Sequence, residues 1–204
     1  MPSPIPLHYP RNNSMMAASG FMVRVGKRYW LLTCAHTVTG VAKTPVNALH
    51  LFNGELVVVG STVRIPLMRN QQKRFIALEI ASSGELLDLI SVPLDAVEAM
   101  TLSAYGSYDG DTIVRPAAGM HVVMEGFPGM EFVAIPVRQA NGIIQLVQGN
   151  SIKLSVPSEV GFSGGPVLSD GRLVGVTYGD IGFDGNLTNA LAYNLSTLSH
   201  ALFV

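Results

Sequence analysis

Cysteine is almost missing. Cys34 is the only one in 204 residues, which excludes an internal disulfide and a thiolate-rich zinc site. Charge is scarce too: Asp, Glu, Lys and Arg make up 13% of the chain, about half the usual share. The formal net charge is −1, so nothing electrostatic points to nucleic acid or to an acidic membrane as a partner. No apolar run approaches the roughly 18 residues needed to span a bilayer. Met1-Pro2-Ser3-Pro4-Ile5-Pro6 has neither the basic segment nor the continuous apolar stretch of a secretory signal. With Met1 as the natural start, the expected location is the cytoplasm. His8, His50, His121 and His200 are scattered without ligand spacing, so neither a metal nor another cofactor is expected.

What the chain does have is punctuation. There are 21 glycines and 12 prolines, and the apolar segments between them are short and rich in Val, Ile and Leu. That pattern predicts many short strands, an all-β fold. Residues 21–25 and 28–33 read as a hairpin around Gly26-Lys27. Residues 166–169 and 172–176 read as another around Asp170-Gly171, a pair suited to a type I′ turn. Further strands are expected over 46–52, 55–66, 73–81, 86–92, 120–126, 130–138, 142–148 and 151–156. Residues 1–16 read as an irregular arm, 17–92 as a first β-rich half, 93–119 as a connection, and 120–204 as a second half. Leu195, Leu198, Ala201 and Leu202 recur at helical spacing and predict a closing helix.

Three segments carry chemistry. Leu31-Leu32-Thr33-Cys34-Ala35-His36 delivers a histidine at the end of an apolar strand. Leu86-Leu87-Asp88-Leu89-Ile90 sets an aspartate inside another, with Asp95 as a rival carboxylate. Gly161-Phe162-Ser163-Gly164-Gly165-Pro166 places a serine in a glycine-rich turn. These are the parts of an acyl-transfer site. A serine hydroxyl needs a base to take its proton, histidine serves near neutral pH, and a carboxylate orients the imidazole. Cys34, on an apolar strand, reads as a small buried filler.

In the order His, Asp, Ser, these segments resemble the trypsin-like serine peptidases. The second half is similar to the HtrA/DegP-type protease domain through Glu125-Gly126-Phe127-Pro128, Ala140-Asn141-Gly142-Ile143-Ile144, Arg172-Leu173-Val174-Gly175-Val176 and Ala190-Leu191-Ala192-Tyr193. With Val204 as the natural end, no PDZ module is expected to follow. The resemblance implies two six-stranded antiparallel β-barrels with a short C-terminal helix and the site in the cleft between them. It implies a serine endopeptidase acting on a protein or peptide substrate, with His36, Asp88 and Ser163 as catalytic residues. Gly161 and Ser163 would form the oxyanion hole, and Pro157, Thr177, Tyr178 and Gly179 the substrate pocket. The absence of an acidic residue at the pocket's base position, Pro157, implies an apolar or small side chain at the cleavage site.

Phe162 departs from the resemblance. Secreted trypsins carry aspartate there, to pair with a newly cut N-terminal amine, and HtrA-like proteins usually asparagine. Phe162 keeps open a catalytically silent trypsin-fold binding or scaffold protein, and the expected lack of a signal peptide and a PDZ module keeps open a narrow viral- or phage-type processing protease. The low charge leaves a homo-oligomer open.

Overall fold

At Asp170 and Gly171 φ is +50° and +73°, the two positive values that a type I′ hairpin demands, and Ser169 faces Arg172 across the turn. Gly26, at +57°, turns the other expected hairpin, with Val25 opposite Arg28. From such local turns a computed structural model builds an all-β chain, described for residues 1–11, 14–41, 43–128, 136–183 and 186–204.

The first half supplies β1 (Ile5–Arg11), β2 (Ser14–Val25), β3 (Arg28–Thr33), β4 (Thr44–Pro45), β5 (Glu55–Val58), β6 (Arg64–Pro66), β7 (Met68–Arg69), β8 (Gln72–Lys73), β9 (Ile76–Ile80) and β10 (Glu85–Leu94). The connection holds β11 (Tyr108–Asp109). The second half holds β12 (His121–Gly126), β13 (Arg138–Gln148), β14 (Ser151–Leu154), β15 (Pro166–Ser169), β16 (Arg172–Phe183) and β17 (Asn186–Asn194). Short helices follow β3, β10 and β17: α1 (Ala35–Thr39), α2 (Ala96–Thr101) and α3 (Leu195–Leu202).

Only the second half closes. β12-β13-β14-β17-β16-β15 form a six-stranded barrel, whereas the first half is an open nine-stranded sheet ordered β4-β10-β3-β2-β1-β5-β6, with β9 on β10 and β11 on β2. The expectation of two six-stranded barrels is thereby corrected. Closing the first sheet would require β6 to find a partner beyond β5. It is three residues long and ends at Pro66, which has no N–H to give to a ladder. The chain then reverses at Asn70 and Gln71, both at positive φ, so β7 and β8 pair with each other as a separate two-stranded sheet.

Three further expectations change. The arm at 1–16 contains β1, paired along its length with β2 from Ile5↔Gly20 to Arg11↔Ser14. Ile5 and Leu7, two residues apart, are fully buried, and the fixed φ of the neighbouring prolines suits an extended chain. Residues 49–52 form a 3₁₀ turn where a strand was expected; the anchor there is Phe52, buried against Phe75 with ring centroids 4.4 Å apart. Gly60, at φ +73°, breaks the expected 55–66 strand into β5 and β6. The strand expected over 130–138 lies largely outside the described residues.

One core cluster joins the halves. Phe21, Trp30, Leu32 and Leu89 from the first half pack with Leu168, Val176 and Leu195, Leu198 and Leu202 of α3, which fixes the two sheets against each other. The connection is tied down as well. Tyr108 donates to the buried Glu125 carboxylate at 3.1 Å and Gln139 donates to its other oxygen at 2.7 Å. No helix among the described residues is long and apolar enough to cross a membrane.

Candidate active site

The buried run Trp30-Leu31-Leu32 anchors β3 in the core and carries the chain directly into α1, whose second residue is His36. Asp88 lies in β10 where the register against β9 shifts between Leu86 and Ile90. Such a bulge re-aims a side chain that regular alternation would send elsewhere. Leu87 and Leu89 stay in the core, while the Asp88 carboxylate reaches His36 twice: Oδ1 accepts the His36 backbone N–H at 2.6 Å, and Oδ2 lies 2.6 Å from Nδ1. A carboxylate can only accept, so Nδ1 carries the proton and the neutral ring keeps its lone pair on Nε2. Asp95, the rival carboxylate, is engaged elsewhere. It caps α2 by accepting from the Val97 and Glu98 amides, and these bonds and Arg69 hold its carboxyl below the usual range.

A third group holds Asp88 from the opposite half. Its backbone N–H donates to the Tyr193 hydroxyl at 3.1 Å, and the Tyr193 ring stacks on Tyr178 at 4.1 Å and 20°. Burial, followed by the Asp88 charge, pushes the Tyr193 phenol upward, so it stays neutral. Tyr178 sits at a bulge between Thr177↔Ala192 and Gly179↔Leu191, which turns its ring onto Tyr193. Tyr193→Phe keeps the stack and removes the acceptor. The stranded amide should cost about 1–3 kcal/mol and lower turnover several-fold, measured by thermal unfolding and initial rates. A variant matching wild type in both would show that this hydroxyl does nothing for Asp88.

Ser163 lies in the 161–165 turn. Phe162 N–H donates to Glu159 C=O at 3.0 Å and Gly161 has φ +100°, the signature of a type II turn with glycine at its third position. Gly165 N–H closes on Phe162 C=O and Gly164 N–H on Thr177 C=O, both at 2.8 Å. Gly164, at φ +83°, packs so closely under β2 that a Cβ would collide with the Ser19 carbonyl. Two amides of this turn, those of Gly161 and Ser163, have no acceptor among the described residues.

A cleft of about 460 Å³ brings His36, Asp88 and Ser163 together with Tyr178, Gly179, Tyr193, Gly40 and Lys43. Ser163 faces this cleft without a hydrogen bond to His36. Of the four expected pocket residues, Tyr178 and Gly179 line the cleft. Thr177 is fully buried, and Pro157 lies outside the lining, beside Ser158. Ser158 donates its N–H and its hydroxyl to the Asp180 carboxylate, both at 2.6 Å, so that acid is already occupied. Tyr193, Ser19 and Asp180 went unrecognised in the sequence.

Cys34 also approaches the pair, its ligand atom within 4.8 Å of those of His36 and Asp88. Its thiol is buried and donates to Thr177 C=O at 3.3 Å. Burial, then the Asp88 charge, pushes its pKa well up, the opposite of what a thiolate nucleophile or metal ligand requires. Nδ1 and Oδ2 at 2.6 Å are also closer than the roughly 3.3 Å between two donors on a tetrahedral zinc. The trio is a hydrogen-bonded pair with a filler behind it.

Fold and cleft define the class: a trypsin-fold peptidase domain. A family model of the trypsin-like peptidase domain matches residues 18–176, and the chain belongs to that family. Among solved structures, the serine endoprotease from Yersinia pestis superposes with a TM-score of 0.59 at 18% identity, over 98% of this chain and 61% of that one. The MamO protease domain from Magnetospirillum magneticum does so at 0.60 and 16%, over 100% and 97%. A chain from a structure concerned with the coupled folding and binding of the intrinsically disordered Sesbania mosaic virus VPg protein does so at 0.61 and 14%, over 99% and 95%. An HtrA-type protease shares the fold at 14%. At these identities the likeness concerns the fold. This chain spans 61% of the length of the Yersinia pestis structure. No curated protein matches the chain by sequence.

Proposed function

We propose that the protein is a serine endopeptidase that hydrolyses peptide bonds through an acyl-enzyme, with Ser163 as nucleophile, His36 as base and Asp88 as its orienter. The observation that carries this reading is the pair of unsatisfied amides, Gly161 and Ser163, flanking a serine in the same cleft as a histidine already fixed by a carboxylate. Ser163 Oγ adds to the scissile carbonyl carbon as Nε2 takes its proton, and the carbonyl oxygen becomes an oxyanion that accepts from the two amides. The imidazolium, stabilised by Asp88, then protonates the leaving amine. Water repeats the sequence on the acyl-enzyme. The missing Ser163–His36 hydrogen bond fits a resting site, since such contacts tighten on substrate binding. Tyr178 and the open space over Gly179, with Asp180 held by Ser158, favour an apolar or small side chain at the cleavage site.

The test is labelling with a fluorophosphonate, followed by mass spectrometry. A single adduct on Ser163 supports the reading, and no adduct, or one on Cys34, overturns it. Hydrolysis should also rise from acid to neutral pH through one ionisation, because only a neutral imidazole accepts the serine proton. A rate flat between about pH 5 and 8 would remove His36 from the role of base.

A further inference from the structure

We infer that Ser19 is a positioning residue for the oxyanion turn, a brace from the open sheet that sets the two hole-forming amides of the barrel. The inference rests on the serine-peptidase reading and extends it to a residue outside the triad and the hole.

Ser19 is fully buried, and every polar group it has is engaged across the junction or in its support. Its hydroxyl donates to Gly161 C=O at 2.8 Å and accepts from Phe127 N–H at 3.0 Å. Its backbone N–H donates to Ser163 C=O at 2.9 Å, and its carbonyl accepts from Thr33 Oγ1 at 2.8 Å. The consequence appears when the turn is taken one peptide unit at a time. The 161–162 unit is held by Phe162 N–H on Glu159 and by Ser19 Oγ on Gly161 C=O. The 162–163 unit is held by Gly165 N–H on Phe162 C=O. The 163–164 unit is held by Gly164 N–H on Thr177 and by Ser19 N–H on Ser163 C=O. Ser19 thus grips the carbonyl on each side of the central unit, and the groups left over are the Gly161 and Ser163 amides.

In trypsin-like enzymes of the secreted type an ion pair at position 162 would organise this turn, and Phe162 cannot form one. A buried hydroxyl from β2 can, by hydrogen bonding alone. It acts on the carbonyls opposite the hole, so its effect belongs to the transition state, where charge develops on the substrate oxygen. The close seating of Gly164 under the Ser19 carbonyl leaves the turn no slack relative to β2.

The experiment compares wild type with Ser19→Ala in kcat and KM for one peptide substrate. It adds the inhibition constant of a peptide aldehyde, whose hemiacetal oxygen occupies the hole, and the affinity of the matching carboxylate product, whose binding leans on the pocket. The variant should lose about 10- to 100-fold in kcat with KM within about threefold. Aldehyde inhibition should weaken by the same factor as kcat, with product affinity and the pH profile unchanged. Turnover within twofold of wild type overturns the brace, as does a loss shared equally by aldehyde and product. If Ser19→Ala does not fold, Thr33→Val carries the test. It frees the Ser19 carbonyl, keeps the size of the side chain that packs against Gly164 and leaves every hydrogen bond of the turn itself in place, and should lower kcat several-fold at constant KM; an unchanged kcat overturns the proposal. Fluorophosphonate separates the two levels. Wild type that takes no label at Ser163 ends the peptidase reading and the brace with it, whereas a labelled wild type with an unimpaired Ser19→Ala ends the brace alone.

Discussion

Ser163→Ala should lower peptide hydrolysis by about 10⁵- to 10⁶-fold and leave the melting temperature nearly unchanged. The two halves of that expectation have different origins. The turn is held through main-chain groups, with Ser163 C=O on Ser19 N–H and Gly164 N–H on Thr177 C=O, and alanine keeps all of them. The hydroxyl itself has no partner among the described residues, so its removal strands nothing. On the proposed mechanism the chemistry, by contrast, depends on that one oxygen, because the remaining amides and imidazole can assist only a water. Cys34→Ala is the necessary companion, since its sulfur lies within 4.8 Å of the ligand atoms of His36 and Asp88. Buried, bonded to Thr177 and with its pKa raised, it should be replaceable with at most a small loss of rate and a modest loss of packing. Initial rates and thermal unfolding on the two variants decide the matter. Loss of activity in Cys34→Ala with retention in Ser163→Ala would transfer the nucleophile to the cysteine.

Residues whose roles are local could be read from the chain; residues whose roles are set by distant partners could not. Asp170-Gly171 states its own turn type, because two positive φ values are needed within a two-residue loop. His36 and Ser163, which the structure brings to one cleft, stand out in the sequence by the apolar strand and the glycines beside them. Closure of the first sheet has no such local sign. It turns on whether β6 meets a partner, and Pro66 followed by the reversal at Asn70-Gln71 diverts that pairing. The first residues misled for a related reason: Pro4 and Pro6 look irregular in sequence, while Ile5 and Leu7 are claimed by the core. Asp88 needed a bulge to reach His36, and a bulge is a mismatch between two strands that neither strand displays alone. Tyr193 and Ser19 act across the junction between the sheets, at sequence separations of 105 and 142 residues from the groups they hold.

Phe162→Ala should destabilise the protein by about 3–5 kcal/mol, a fall in melting temperature on the order of 10 °C for a chain of this size. Phe162 is fully buried in the barrel core with Met124, Ile144, Leu154 and Val167. Its contact with β12 is so close that a Cβ on Gly126 would come within 2.8–2.9 Å of its ring and Cα. Truncation leaves a cavity beneath the 161–165 turn itself, so turnover should fall even at temperatures where the variant stays folded. Phe162→Asn tests the same point more sharply. Asparagine is the residue that HtrA-like proteins usually carry at this place, but here its amide would enter an apolar core without partners, adding a further cost of about 1–3 kcal/mol. The expected result is a variant less stable and less active than wild type. A free N-terminal amine should be irrelevant, since an aromatic ring offers it no charge; an extension ahead of Met1, which is itself fully exposed, should leave kcat unchanged. Thermal unfolding and rates on the extended protein and the two Phe162 variants check all three statements. A folded Phe162→Asn with turnover well above wild type would mean that the phenylalanine holds the turn in an inactive arrangement, and activity that vanished on N-terminal extension would mean that the terminus organises the site after all.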